Sequence, residues 1–382
     1  MNVYLDNAAT TPMDPEVVAL MTRVMTENYG NPSSIHALGR KSRTLIEKSR
    51  KKVAKHLGVA PGEIFFTSGG TEADNMAISC AVRDLGVTHI ITSPLEHHAV
   101  LHSAERMVEE HGVKLSIVQL LPDGHVDLGH LKTLLEENAD RKTLVSLMHA
   151  NNEVGNLLDV AQVGALCREN GAYFHTDTVQ TIGHLEVTPK EWGVHFLAAS
   201  AHKFHGPKGI GFIYVDENVQ VKPILTGGSQ ERNMRGGTEN LIGIVGMAKA
   251  LDIAIEELDE IRTRLTDIRN HMMTRLQNEI EGVKFNGDYN GRTNYIVLNV
   301  AFPDNGDGDM MLFNLDIAGI AASGGSACSS GSNVGSHVLR AIGKNLNMNS
   351  VRFSFGKFTT KEDVDYAVDK LVELINGKAV QA

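Results

Sequence analysis

Three short segments carry residue types that could do chemistry together. In Phe65-Phe-Thr-Ser-Gly-Gly-Thr71-Glu72 a β-rich run meets two glycines and then a helical pattern. Glycines let a backbone approach a ligand, and a helix start offers unpaired N–H groups and the positive end of the dipole. Gly70, Thr71 and their neighbours could therefore cradle a phosphate. The plainer reading is a strand-to-helix turn capped by Thr71. The segment is neither a Walker A loop nor GxGxxG. In Ala198-Ala-Ser200-Ala-His202-Lys203-Phe204-His205-Gly206-Pro207 a lysine follows an apolar run, between two histidines. Burial and nearby positive charge would lower its pKa from about 10.4 and ready the amine to condense with a carbonyl. The plainer reading is a surface lysine in a turn. In Phe174-His-Thr-Asp177-Thr-Val-Gln180 a carboxylate closes another run, 26 residues before Lys203. Asp177 could pair with a protonated ring nitrogen, and Gln180 could bond a phenolic oxygen. The plainer reading of Asp177 is a helix N-cap.

These segments must be positioned by the elements around them. Short β-rich runs begin at Ile64, His89, Lys114, Thr143, Ala172, His195 and Gly211. Helical periodicity fills most of the intervals, as over 72–84, 99–111 and 160–170. Strand and helix alternating at this spacing predict an α/β fold with a mainly parallel sheet covered by helices. Ligands in such sheets bind beyond the carboxyl ends of the strands, where all three segments fall. After residue 238 the pattern changes. Leu241 to about Glu281 reads as one long helix, followed by strand candidates at 294–300 and 351–355 and a final helix over 361–375. This predicts a smaller α+β unit. In 321–336, ten of 16 residues are Gly or Ser, which predicts a mobile loop around Cys328.

Composition narrows the function classes. The 382 residues are 42% hydrophobic and 21% charged, an ordinary globular balance. The formal charge of −10 disfavours a direct nucleic-acid partner, because the chain would repel phosphates. The basic run from Lys41 to Lys55 reads as a solvated helix face. No apolar run approaches the roughly 18–20 residues that span a membrane, and the N-terminus lacks the pattern of a signal peptide. Cys80, Cys167 and Cys328 form no CxxC, so neither a disulfide framework nor a thiolate zinc site is indicated. Cys80 and Cys167 sit in helical patterns and read as packing residues. A soluble cytoplasmic protein is expected.

A phosphate cradle, a carboxylate and an amine at one sheet edge match the needs of pyridoxal 5'-phosphate. At this point the chain resembles a known family. The motifs are Tyr4-Leu-Asp-Asn-Ala-Ala-Thr-Thr-Pro12, Gly30-Asn-Pro-Ser-Ser-Ile-His36, Ser68-Gly-Gly-Thr-Glu-Ala-Asp-Asn75, Glu96-His97-His98-Ala99, Asn151-Asn152-Glu153-Val-Gly155, Ser200-Ala-His202-Lys203, Arg235-Gly-Gly-Thr238-Glu-Asn240, Ser326-Ala-Cys328-Ser329 and Arg352-Phe-Ser-Phe. In their order they resemble the cysteine desulfurases of the NifS/IscS type, within class V of the fold-type I pyridoxal-phosphate enzymes.

The resemblance implies roles. Lys203 carries the cofactor aldehyde and later moves the substrate α-proton, and Asp177 pairs with the pyridinium. His97 stacks on the ring and helps move protons, and Gln180 bonds the ring hydroxyl. Gly70, Thr71, Ser200 and His202 hold the phosphate. Thr238 reaches the phosphate of a partner subunit's cofactor, which implies a homodimer. Asn152, also beside the cofactor, and Arg352 bind the substrate carboxylate, a task suited to arginine's planar fork. Cys328 is the nucleophile that takes sulfur from L-cysteine as a persulfide, leaving alanine, for delivery to an iron–sulfur scaffold or a tRNA-thiolation protein. The implied division is a large cofactor domain over 15–258 and a small domain of 1–14 with 259–382. No metal is implied. Another class V enzyme, an aminotransferase or selenocysteine lyase, is the alternative. Asn333-Val-Gly-Ser-His337 departs from the Glu-Pro-Ser-His of many relatives, and Gly237-Thr-Glu-Asn240 looks closer to the NifS branch.

Overall fold

The computed structural model describes residues 2–303, 310–324 and 335–376. A short strand, β1 (Val3–Tyr4), precedes helices α1 (Pro15–Glu27) and α2 (Ala37–Leu57). The main sheet then builds from β2 (Ile64–Thr67), β3 (His89–Thr92), β4 (Lys114–Ile117), β5 (Thr143–Ser146), β6 (Tyr173–Asp177), β7 (Phe196–Ser200) and β8 (Gly211–Val215). Its spatial order is β2-β8-β7-β6-β5-β3-β4. The five strands β4, β3, β5, β6 and β7 pair in parallel, and β8 runs antiparallel to both its neighbours. A parallel return needs a crossover of a dozen or more residues. Only the short stretch holding Lys203 separates β7 from β8, so β8 must fold straight back.

Helices α3 (Gly70–Leu85), α4 (His98–His111), α5 (Leu128–Glu136), α6 (Val160–Glu169), α7 (Pro189–Trp192) and α8 (Leu241–Glu256) cover the sheet. Side chains alternate between its faces. Phe65 packs with Ile78, Ala104 and Phe196 of one core. Phe66 packs with Ile46, Phe174 and Ile244 of the other. A third core lies between the antiparallel sheet β9 (Lys284–Phe285), β10 (Val297–Phe302), β12 (Asn349–Ser354) and helices α9 (Leu258–Glu279) and α12 (Lys361–Ile375). α10 (Met311–Ile317), β11 (Ile320–Ala321) and α11 (His337–Ile342) complete this part. β1 pairs with β11, which seats Val3 and Leu5 in the third core.

Two expectations need correction. The stretch from Leu241 is two helices, because Glu257 leaves helical geometry at φ −97°, ψ 4°. The basic run is not wholly solvated. Arg50 is only 2% exposed and forms two 2.8 Å bonds to Glu231, which lies far along the chain. Cys80 and Cys167 are buried, as expected, and burial pushes both thiols up to about 12. Cys328 lies outside the described residues. Among the described residues, no helix is long and apolar enough to cross a membrane.

Candidate active site

A cleft of about 230 Å³ opens beyond the carboxyl ends of the parallel strands. Every predicted cofactor or substrate residue except Thr238 lines it.

One wall is the start of α3. A Cβ on Gly70 would come within 2.6 Å of Val179 Cγ2 and 3.7 Å of Ser200 Cβ, so only glycine brings the helix start this close. Thr71 follows it at the cleft. The approach to this turn is pinned from outside: the Ser68 N–H donates to Glu72 Oε2 at 2.7 Å, and Arg235 Nε donates to Glu72 Oε1 at 2.8 Å. Ser200 ends β7 and is buried. His202 Nδ1 lies 3.2 Å from Thr10 Oγ1. Burial first, then Lys203 and Lys208, push this imidazole down to about 4, so it is neutral at pH 7.

Lys203 stands in the 3₁₀ turn Ala201–Lys203, and its Nζ donates to the Ala8 and Ala9 carbonyls. Gln180 Nε2 donates to the same Ala8 oxygen at 3.0 Å. The N-terminal segment thus sets both side chains.

Asp177 ends β6. Its Oδ1 accepts the Val179 N–H at 2.8 Å. Burial raises the carboxyl to about 6, against the opposing pull of that bond and of Lys203. A buried carboxylate with so little compensation favours a cation beside it. His97 caps α4, its Nδ1 accepting the Ala99 N–H at 3.1 Å. Burial, then the Lys203 charge, push this ring down to about 4. The neutral tautomer consequently carries its proton on Nε2.

Arg352, in the middle of β12, closes the far side at 1% exposure. Its Nη1 donates to the Asn152 carbonyl at 3.0 Å and its Nη2 to Asp6 Oδ1 at 2.9 Å. Its buried Nε has no hydrogen-bond partner among the described residues. Thr238 is exposed beside a separate recess that also holds Glu231 and Arg235.

Sequence reasoning assigned no role to Asp74, to Asp6 or to the Ala8 and Ala9 carbonyls. Asp74 had one usable signal. It stands four residues after Gly70, and so on the same helix face.

The cradle that a Cβ would fill and the undercompensated Asp177 carboxyl fit a phosphorylated pyridine aldehyde, with Lys203 at hand for the aldehyde carbon. Fold and site together define a fold-type I pyridoxal-phosphate enzyme. Comparison with known proteins agrees. The Aminotransferase class-V family matches residues 3–367. The chain is 44% identical to a cysteine desulfurase IscS of Dictyoglomus turgidum, over 98% of this chain and 94% of that protein. It is 41% identical to the putative cysteine desulfurase IscS 1 of Bacillus subtilis, over 98% of each. A solved NifS-like protein superposes with a TM-score of 0.91 at 37% identity, covering 99% of this chain and 100% of that one. The chain belongs to the class V aminotransferase family, among its cysteine desulfurases of the IscS/NifS type.

Proposed function

We propose that this chain takes sulfur from L-cysteine, releases L-alanine, and passes the sulfur on as a Cys328 persulfide. The observation that carries the reading is the meeting of Lys203, Asp177, His97 and Arg352 in one cleft. When bound, pyridoxal phosphate supplies an electron sink for bonds at the substrate α-carbon. Gly70, Thr71, Ser200 and His202 would hold its phosphate, Gln180 its ring hydroxyl and Asp177 its ring nitrogen. His97, neutral, would exchange protons through Nε2. Arg352 grips the substrate carboxylate, with Asn152 beside it. The Lys203 amine moves the α-proton. The Cys328 thiolate attacks the substrate sulfur: a sulfur–sulfur bond forms, the carbon–sulfur bond breaks, and the carbon fragment takes up protons to become alanine. An external thiol or acceptor protein then removes the terminal sulfur.

The reading extends to a homodimer in which Thr238 serves the partner's cofactor, to domains of 15–258 and of 1–14 with 259–382, and to the cytoplasm. Exposure of Thr238 and the separate third core support the first two. The test is to give the purified protein L-cysteine and a reductant and to quantify sulfide and alanine together. Equal yields are expected, with both lost in Cys328→Ala while the cofactor stays bound. Undiminished sulfide from that variant removes Cys328 from the reaction.

A further inference from the structure

Asp74 is a second buried carboxylate in the cleft wall, and the proposed reaction gives it no task. It lies one helical turn after Gly70, on the face that carries the cradle. His175 and Asp177 are two residues apart on β6 and project to one face of the sheet. The two faces meet. Asp74 Oδ1 is 3.3 Å from His175 Nε2, with side chains 2% and 0% exposed. Neither atom has a hydrogen-bond partner among the described residues, each other included. On the far side of the ring, His175 Nδ1 lies 2.8 Å from Ser146 Oγ.

Two carboxylates in one buried wall do not both ionise, because each would oppose the other's charge in a low dielectric. The surroundings decide between them. Burial first, then the charges of the acids Asp177 and Glu96, hold the Asp74 carboxyl well above the usual range. Its nearest base, His175, is pushed by burial down to about 3 and supplies no positive charge. Asp177 has the Val179 N–H and the Lys203 ammonium to favour its charge.

We propose that Asp74 is a positioning residue, held as a neutral acid against the uncharged His175, so that Asp177 alone presents negative charge to the ring nitrogen of the cofactor. The inference rests on the pyridoxal-phosphate reading above and names how that site keeps its charge in the right place.

The experiment is infrared spectroscopy on the full-length apoprotein at pH 8, with and without carbon-13-labelled aspartate. A protonated carboxylic-acid band that shifts with the label and is lost in Asp74→Asn is expected. Glu96, which burial also lifts to about 8, is separated because the label leaves its band unmoved. A parallel titration with pyridoxal phosphate expects Asp74→Asn to keep the wild-type dissociation constant within about threefold, and Asp177→Asn to raise it at least tenfold. The absence of a labelled acid band overturns the proposal. So does a loss of cofactor affinity in Asp74→Asn equal to that in Asp177→Asn, since Asp74 would then be a charged partner. Thermal melting confirms that each variant is folded, and the wild-type band needs no variant. If the wild-type protein binds no cofactor, the functional reading fails while the infrared result still decides the state of Asp74.

Discussion

At the scale of single residues, the cleft separates groups that hold from groups that react, and Arg352 shows the difference. Its two terminal nitrogens are engaged by the Asn152 carbonyl and Asp6, so the guanidinium is fixed before any substrate arrives. A fixed fork can meet a carboxylate at two points, whereas lysine offers a point charge on a flexible stem. Arg352→Lys is therefore expected to raise the KM for L-cysteine roughly 10- to 100-fold, from the loss of a charged hydrogen bond worth about 1.5–3 kcal/mol. Steady-state kinetics check this, and an unchanged KM would move the carboxylate site elsewhere. Most of this cleft was legible in the sequence. Lys203, Asp177 and Gly70 each close or follow an apolar run, and that pattern alone points to a sheet edge. Asp74 was not legible as a participant. Its meaning depends on His175 and Asp177, about a hundred residues later, and no local pattern marks a carboxyl that must stay neutral. The Ala8 and Ala9 carbonyls were hidden for a related reason, since any residue type could supply them.

At the scale of elements, the cradle depends on how closely two strands pass the α3 turn. β8 begins at Gly211, opposite Thr67 and Ser200. A Cβ on Gly211 would fall 2.3 Å from the Ala199 carbonyl oxygen and 2.9 Å from Gly69 Cα. These are backbone atoms and cannot swing aside, so Gly211→Ala must part β7 from β8 or push Gly69 outward. Overpacking of this kind costs about 1–3 kcal/mol. A lower urea midpoint and weaker pyridoxal phosphate binding in the same variant are the expected results. Loss of stability with cofactor affinity intact would detach the strand spacing from the cradle. The strands themselves were readable because β2, β3 and β5–β8 are buried almost throughout, and so read as near-continuous apolar runs. The break at Glu257 was not readable, because neither proline nor glycine marks it. What distinguishes the position is a tertiary contact: the Glu257 carboxylate pairs with Lys357, which also holds Asp14. The burial of Arg50 escaped for the same reason. Arg50 sits among surface cations of α2, and its partner Glu231 arrives only when the chain folds back.

At the scale of the whole molecule, buried histidines set how stability depends on pH. His89, His97, His149, His184 and His202 are pushed down to about 4 and His175 to about 3, in each case chiefly by burial. In the unfolded chain each titrates near 6.5. Between pH 6.5 and about 4 the unfolded chain therefore holds six protons that the folded chain refuses, and acidification favours unfolding. Three acids act the other way. Glu96 rises to about 8, Asp177 to about 6, and Asp74 is raised as well, so the folded chain keeps protons that the unfolded chain has released. Above pH 6.5 Glu96, lifted to about 8, acts against no histidine, and stability rises gently as pH falls from 8. Below 6.5 the six histidines outnumber the three acids, and the sign reverses. Each net proton is worth about 1.4 kcal/mol per pH unit. The cofactor-free protein is thus expected to be most stable near pH 6.5–7, with a Tm several degrees lower at pH 5. Calorimetry at pH 8, 6.5 and 5 measures this, and a Tm that holds level or climbs towards pH 5 would mean that these histidines are charged inside the fold. The sign matters for the site as well, because His97 and His202 belong to both groups: the acid that unfolds the chain is the acid that would first charge the ring and phosphate contacts.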